Sequence, residues 1–134
     1  MHSVNRVSSR YDGKHIVIVH GYTASPNANW FPWLAQVLRA QGARVSIPAM
    51  PDSFNPDPIK WALALEQSLP AADTDTILIG HSLGCITALR HLLSLPAHTL
   101  AGGVLLVSGF DRTVSTFAFS LWRIRFLRRS RLFG

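Results

Sequence analysis

Five residues, Gly80-His81-Ser82-Leu83-Gly84, place a serine between two glycines in the pattern G-x-S-x-G. A serine hydroxyl in this pattern can attack a carbonyl carbon when a sharp turn from strand to helix presents it. The glycines matter because they lack the side chains that would hold the strand and the helix apart. The pattern predicts Ser82 as a catalytic nucleophile and Gly80 and Gly84 as the residues that permit the turn.

Such a serine requires a strand directly before it and a helix directly after it, and the sequence offers both. Residues 76–79, Thr-Ile-Leu-Ile, are typical of a buried strand, and residues 84–95 are typical of a helix stopped by Pro96. The N-terminus of that helix would offer N–H groups and a positive dipole end to an oxyanion. The alternative is an ordinary turn that happens to hold a serine.

A second loop, His20-Gly21-Tyr22-Thr23, follows the β-branched run of residues 15–19. A loop after the first strand is where a second oxyanion-hole donor is expected, and a glycine lets the chain pass close to a substrate. We therefore expect the backbone N–H of Tyr22 or Thr23 to pair with that of Leu83. The alternative is a plain strand–helix loop glycine.

Other reactive side chains are interpreted as structural. His81 precedes the serine and is expected to pack at the strand end, Cys85 to be a small apolar residue on the packed face of its helix, and Asp52 to be a solvated loop acid. No metal site and no cofactor are expected. The tryptophans are interpreted as core or cleft-wall residues, namely Trp30, Trp33, Trp61 and Trp122.

Strand and helix patterns alternate along the chain. The predicted strands are residues 15–19, 43–48, 76–79 and 103–108, and the predicted helices are residues 30–41, 58–69 and 84–95. The second helix has a clear start, with Asp57 as N-cap and Pro58 as its first residue. This order predicts an α/β fold, a parallel sheet with helices on both faces.

Several separated blocks of the sequence occur together in a recognisable order: residues 20–22, 29–34, 48–51, the helix around Trp61, residues 79–85 and 106–109. They resemble the YdeN-like, or retinoblastoma-binding-protein-nine-like, small serine hydrolases of the α/β-hydrolase superfamily. The resemblance covers about residues 14–111. It implies a Ser-His-Asp triad and hydrolysis of small carboxyl esters or amides through an acyl-serine intermediate, with Ser82 as nucleophile.

In that family the triad acid and histidine follow the fourth strand identified here, Asp or Glu before His. The last histidine of this sequence is His98 and the last acid is Asp111, and neither stands at a family triad position. We therefore expect the fold to be truncated after the fourth strand and the hydrolase to be impaired. The alternatives are a non-catalytic remnant or binding protein with a hydrolase half-fold, and a membrane-associating protein that acts through its basic tail.

The charge distribution divides the chain. Residues 1–111 contain seven Lys and Arg and seven Asp and Glu, whereas residues 112–134 contain six Arg and no acid. The formal net charge of +6 therefore belongs to the tail, which argues against a nucleic-acid-binding domain. We expect a polar lead-in at 1–13, the hydrolase N-terminal part at 14–111 and an Arg-rich tail at 112–134 that does not match the family.

The tail has three open interpretations. It is an altered or out-of-frame coding sequence, a basic amphipathic helix on an anionic membrane or nucleic acid, or a helix docked on the sheet. The single cysteine gives no sign of an oxidising compartment, and the start of the chain has no signal-peptide pattern. A cytoplasmic location is expected.

Overall fold

A computed structural model describes residues 10–69, 73–96, 99 and 101–107. Strands and helices alternate in this part of the chain, in the order β1 (His15–Val19), α1 (Phe31–Ala40), β2 (Arg44–Ser46), α2 (Pro58–Ser68), β3 (Thr76–His81), α3 (Leu83–Ser94) and β4 (Gly103–Val107). Each predicted strand and helix is present, in the predicted order.

The strands form one parallel sheet in the order β2-β1-β3-β4. β1 and β3 lie at its centre, and their registers pair Val19 with Gly80. The last residue of β1 therefore lies beside the residue two positions before Ser82. This register brings the two loops singled out in the sequence to the same edge of the sheet.

Helices cover both faces of the sheet, as predicted. On one face, α2 and α3 pack Trp61, Leu65 and Ile86 against the β1 and β3 side chains Val19 and Leu78. On the other face, α1 packs Phe31, Ala35 and Leu38 against a second set, Ile16, Ile18 and Ile79. The alternation of β1 and β3 side chains between the two clusters explains why both strands are apolar at nearly every position.

The helix ends follow from local chemistry. The Asp57 carboxylate accepts hydrogen bonds from the N–H groups of Ile59 and Lys60 at 2.9 and 3.0 Å, which confirms the predicted N-cap of α2. At the start of α1, Trp30 is the N-cap without a side-chain cap, and Pro32 occupies the first turn. Pro32 can stand there because the first N–H groups of a helix need no intrahelical partner.

Two strand predictions had inaccurate ends. β2 is only three residues long, against the expected 43–48, and its pairing with β1 stops at Ser46, shortly before Pro48, which has no N–H for a ladder. β3 runs on through Gly80 and His81, because β4 extends the ladder to a pair between His81 and Val107. α3 correspondingly starts at Leu83, one residue earlier than expected.

Several sequence predictions lie outside the described residues, namely those on residues 1–9, His98, Ser108, Asp111 and the tail from 112 to 134. None of the helices within the described ranges is long and apolar enough to cross a membrane. The domain boundaries and the cytoplasmic location stay predictions.

Candidate active site

Ser82 lies in the turn between β3 and α3 with φ 53° and ψ −122°. A positive φ is unfavourable for a residue with a side chain and costs on the order of 1–3 kcal/mol, which the surrounding structure must offset. Two hydrogen bonds hold the turn: the Ser82 N–H donates to the Val107 carbonyl oxygen at 3.1 Å, and the Cys85 N–H donates to the Ser82 carbonyl oxygen at 3.0 Å. Ser82 is half-buried.

The two flanking glycines stand where backbones approach closely. A Cβ placed on Gly80 would lie 2.7 Å from the Cα of Cys85. A Cβ placed on Gly84 would overlap the Val19 carbonyl oxygen and lie 2.6 Å from that of His20. The first glycine lets α3 leave β3 sharply, and the second lets α3 pack against the end of β1.

The loop after β1 passes directly over the serine. A Cβ on Gly21 would lie 2.8 Å from the Ser82 Cβ and 3.4 Å from its Oγ, so only a glycine fits there. The Thr23 N–H donates to the Ser53 carbonyl oxygen at 2.8 Å, which engages it with the loop after β2. The Thr23 N–H is therefore engaged by a backbone partner, and the choice between Tyr22 and Thr23 as oxyanion donor stays a prediction.

Leu83, the other expected donor, is the first residue of α3. The N–H groups of a first helical turn have no partner inside the helix, and they lie at the positive end of the helix dipole. Tyr22 directly follows Gly21, and Leu83 directly follows Ser82. The two residues therefore lie at the ends of two adjacent strands, β1 and β3. Their role as oxyanion-hole donors stays a prediction.

His20 is the residue of this region that the sequence analysis missed. Its ring is buried, its Nδ1 lies 3.0 Å from the Gly21 carbonyl oxygen, and its Nε2 accepts the Met50 N–H at 2.9 Å. The Trp61 indole lies edge-on to the ring, with centroids 5.6 Å apart. Burial lowers the pKa of His20, with the hydrogen bond to Gly21 opposing that shift. The available signal was a histidine at a strand end directly before a glycine.

The other histidines near the elbow have packing roles. The His81 ring lies edge-on to Trp30 and Phe31, with centroids 5.5 and 5.6 Å apart, which confirms strand-end packing. His91 is buried on α3, nine residues beyond Ser82, which corresponds to about 13 Å along a helix. Burial lowers the pKa of both rings; for His91, the charge of Glu66 opposes this.

The remaining reactive and aromatic residues mostly match their interpretation. Cys85 is buried, burial raises the pKa of its thiol, and its Sγ lies 3.6 Å from the Val107 carbonyl oxygen. Asp52 is exposed, and Trp61 belongs to the core. Trp33 does not, because it lies on the outer face of α1 with 64% of its surface exposed. Trp122 lies outside the described residues.

Within the described ranges, no three His, Cys, Asp or Glu side chains are grouped so as to hold a metal ion. At the carboxyl edge of the sheet, the described residues provide a strained serine, a loop that passes over it at a glycine, and the N-terminus of a helix behind it. A serine presented in this way on a parallel α/β sheet defines a class, the serine hydrolases of α/β fold.

A family model described as serine hydrolase matches residues 16–128, so the chain belongs to that family. The matched range includes part of the segment 112–134 that the sequence analysis set apart, and the boundary at 111 stays a prediction. The chain is also 39% identical over 103 residues to the protein of Bacillus subtilis (strain 168) named as hydrolase YdeN, across 77% of this chain and 54% of that protein.

Solved structures give the same result. The crystal structure of the ydeN gene product from B. subtilis superposes with a TM-score of 0.77 at 36% identity, covering 84% of this chain and 62% of that one. A YdeN-like hydrolase of Pectobacterium atrosepticum has a TM-score of 0.55 at 22% identity, covering 69% and 48%, and supports the fold alone. The chain spans about half the length of the YdeN protein that it matches.

Proposed function

We propose that this chain acts on small carboxyl esters or amides through an acyl-serine intermediate on Ser82. Ser82 Oγ would attack the carbonyl carbon, the alcohol or amine would leave, and water would then cleave the acyl-serine bond and restore the hydroxyl. The observation that carries the proposal is the positive φ of Ser82 at the N-terminus of α3, with Gly21 against its side chain. Membership of the serine hydrolase family supports it.

The oxyanion of the tetrahedral intermediate would lie between the loop after β1 and the start of α3. The N–H of Leu83, aided by the dipole of α3, and the N–H of Tyr22 are the proposed donors. Loss of one such donor typically lowers the rate by about 10²–10³-fold, so these two amides would supply a large part of the catalysis.

Activation of the serine is the weaker part of the site. Among the described residues no histidine ring hydrogen-bonds to Ser82: His15 pairs with Ser46, His20 with Gly21 and Met50, and the other two rings are packed as described above. For the 134-residue chain we expect acylation on the order of 10⁴-fold slower than with a complete triad. This observation also favours a second candidate, a binding protein that retains the hydrolase fold without turnover.

Labelling with a fluorophosphonate probe tests the proposal, because a nucleophilic serine attacks its phosphorus and displaces fluoride. We expect slow labelling located at Ser82 by peptide mass spectrometry, unchanged in Ser94→Ala and absent in Ser82→Ala. Ser94 is the matched control because it lies at the far end of the same helix, bonded to the His91 carbonyl oxygen. Folded protein that stays unlabelled, or labelling that survives Ser82→Ala, would remove Ser82 as a nucleophile.

Turnover of p-nitrophenyl acetate separates the two candidates. If the chain is a hydrolase, it should release p-nitrophenol faster than the Ser82→Ala protein does, and an acetyl group on Ser82 should be detectable by mass spectrometry. The binding candidate expects equal release from both proteins.

A further inference from the structure

The loop that passes over Ser82 is held by a buried histidine that the catalytic proposal does not use. His20 follows the last residue of β1, and 1% of its surface is exposed. Because the Met50 N–H donates to Nε2 at 2.9 Å, Nε2 must be the unprotonated nitrogen of the ring. The proton of the neutral ring is then on Nδ1, which can donate to the Gly21 carbonyl oxygen at 3.0 Å.

The Gly21 carbonyl is fixed by two donors. Besides His20 Nδ1, the Ala24 N–H donates to the same oxygen at 3.2 Å. The Gly21 carbonyl and the Tyr22 N–H belong to one peptide group, which is planar and trans, so the two bonds point in opposite directions. A donor that fixes the direction of the Gly21 carbonyl therefore also fixes the direction of the Tyr22 N–H.

The His20 ring is also held by its contacts with Met50 and Trp61. Met50 lies in the loop after β2, and the next carbonyl in that loop, of Pro51, accepts the indole N–H of Trp61 at 2.8 Å. Trp61 comes from α2 and packs edge-on against His20. The loops after β1 and β2 and helix α2 therefore meet on one imidazole, and the three groups that contact it here, from Gly21, Met50 and Trp61, are uncharged.

We propose that His20 is a positioning residue: as the neutral Nδ1–H tautomer it orients the Gly21–Tyr22 peptide so that the Tyr22 N–H faces the oxyanion formed on Ser82. The oxyanion part of this proposal rests on the proposed function, whereas the orientation of the peptide does not. The pKa of His20, which burial lowers, supports the neutral form of the ring at pH 7.

Two substitutions separate the hydrogen bond from His20 to Gly21 from the hydrogen bond that His20 accepts from Met50. In His20→Asn the side-chain amide nitrogen takes the place of Nδ1 and can still donate to Gly21, but nothing reaches Met50. In His20→Gln the amide oxygen takes the place of Nε2 and can still accept from Met50, but the donor to Gly21 is lost. Both remove the ring from Trp61, so both should lower the melting temperature.

The experiment measures two quantities on the full 134-residue chain. The residual dipolar coupling of the Tyr22 N–H reports the direction of that bond and needs no activity, and fluorophosphonate labelling reports acylation of Ser82. We expect His20→Asn to keep the coupling and to label within about 3-fold of the parent protein. We expect His20→Gln to change the coupling and to label about 10-fold or more slowly, a partial loss of an oxyanion donor.

His15→Gln is the matched control, since His15 lies at the opposite end of β1 and pairs with Ser46 Oγ at 2.8 Å. It should leave the Tyr22 coupling and the labelling rate unchanged. A purely structural role of His20 predicts equal labelling by the Asn and Gln variants, and that result would overturn the proposal.

The remaining outcomes are also distinct. An unchanged Tyr22 coupling in His20→Gln would overturn the orienting role, whatever the labelling shows. A changed coupling with an unchanged labelling rate would overturn the link to the oxyanion. A parent protein that does not label at all would overturn the proposed function, while a changed coupling in the same samples would still support the orientation of the peptide by His20.

Discussion

The neighbouring strands β3 and β4 have similar apolar sequences and very different surroundings. They pair along five positions, from Ile77 with Gly103 to His81 with Val107. Leu78 of β3 is fully buried, whereas Leu105 of β4 is 54% exposed, and Val104 and Leu106 are exposed as well. β3 pairs with both β1 and β4, whereas β4 pairs with β3 alone among the described strands. The side chains of the two strands also differ in how far they are covered.

The two core clusters lie over β1 and β3. The first contains Leu78 and the second contains Ile79, so each face of β3 contacts a helix layer. In β4, Val107 packs partly against the second cluster. Its carbonyl oxygen also accepts the Ser82 N–H, so the exposed strand still contributes to the serine turn. Backbone pairing can therefore position the serine turn without burial of the strand's side chains.

The largest expected effect comes from a matched pair of glycine substitutions, one in α3, which packs against β1, and one in β4. Gly84→Ala forces a Cβ into the Val19 and His20 carbonyl oxygens, both of which are backbone atoms that cannot turn away. We expect a loss of about 4 kcal/mol or more in the free energy of unfolding, enough to prevent folding of a marginal domain. Gly103→Ala in β4 meets no atom within 4 Å and should change it by less than about 0.5 kcal/mol.

Urea denaturation followed by circular dichroism measures both variants. Equal losses, or a stable Gly84→Ala protein, would contradict the close approach of α3 to β1.

A second pair tests the side chains of the two strands directly. Leu78→Ala leaves a cavity in the first core cluster and should cost about 2–5 kcal/mol. Leu105→Ala removes a side chain that is more than half exposed and should cost less than about 1 kcal/mol. Thermal and urea denaturation measure the two values. A similar cost for both would mean that the β4 face is covered in solution, and the comparison with β3 would fail.

The smallest expected effect is a pH dependence of stability that arises from histidines outside β4. His20, His81 and His91 all have pKa values lowered mainly by burial, and β4 contains no ionisable side chain. Because the folded pKa lies below the unfolded value of about 6.5, the unfolded state binds more protons in the window below that pH. Stability should therefore be complete above about pH 6.5 and fall as the pH decreases.

Urea denaturation at pH 7.5 and pH 5.5 measures the slope. His91→Leu should reduce it, because it removes a buried ring whose Nε2 has no hydrogen-bond partner among the described residues. A free energy of unfolding that rises toward pH 5.5 would contradict the sign of these shifts.

The sequence predicted the order of elements and the serine turn because both depend on local chemistry. Strand β1 is a β-branched run, α2 starts at an Asp-Pro pair, and a serine between glycines has few structural explanations when a strand precedes it and a helix follows. The steric role of Gly80 and Gly84 follows from the same local reasoning and agrees with the observed close approaches.

What could not be predicted depends on contacts between distant residues. Met50 is thirty residues from His20, and no local pattern indicates that its N–H would meet the ring. The engagement of Thr23 by Ser53 has the same origin, a contact between the loops after β1 and β2. The exposure of Trp33 follows from which side of α1 faces the sheet, and a helix with aromatic residues around its circumference leaves that choice open.

The central pairing of β1 with β3 has a kinetic consequence. Its register joins residues about sixty positions apart, such as Val19 and Gly80, and closing so long a loop is slow because chain entropy is lost before the contacts form. Gly21 and Ser82 are brought together by the same long-range pairing, so we expect them to meet as that pairing forms. Amide hydrogens of β1 and β3 should accordingly exchange with solvent only through global unfolding, and the serine site should appear in refolding with the slowest native signal.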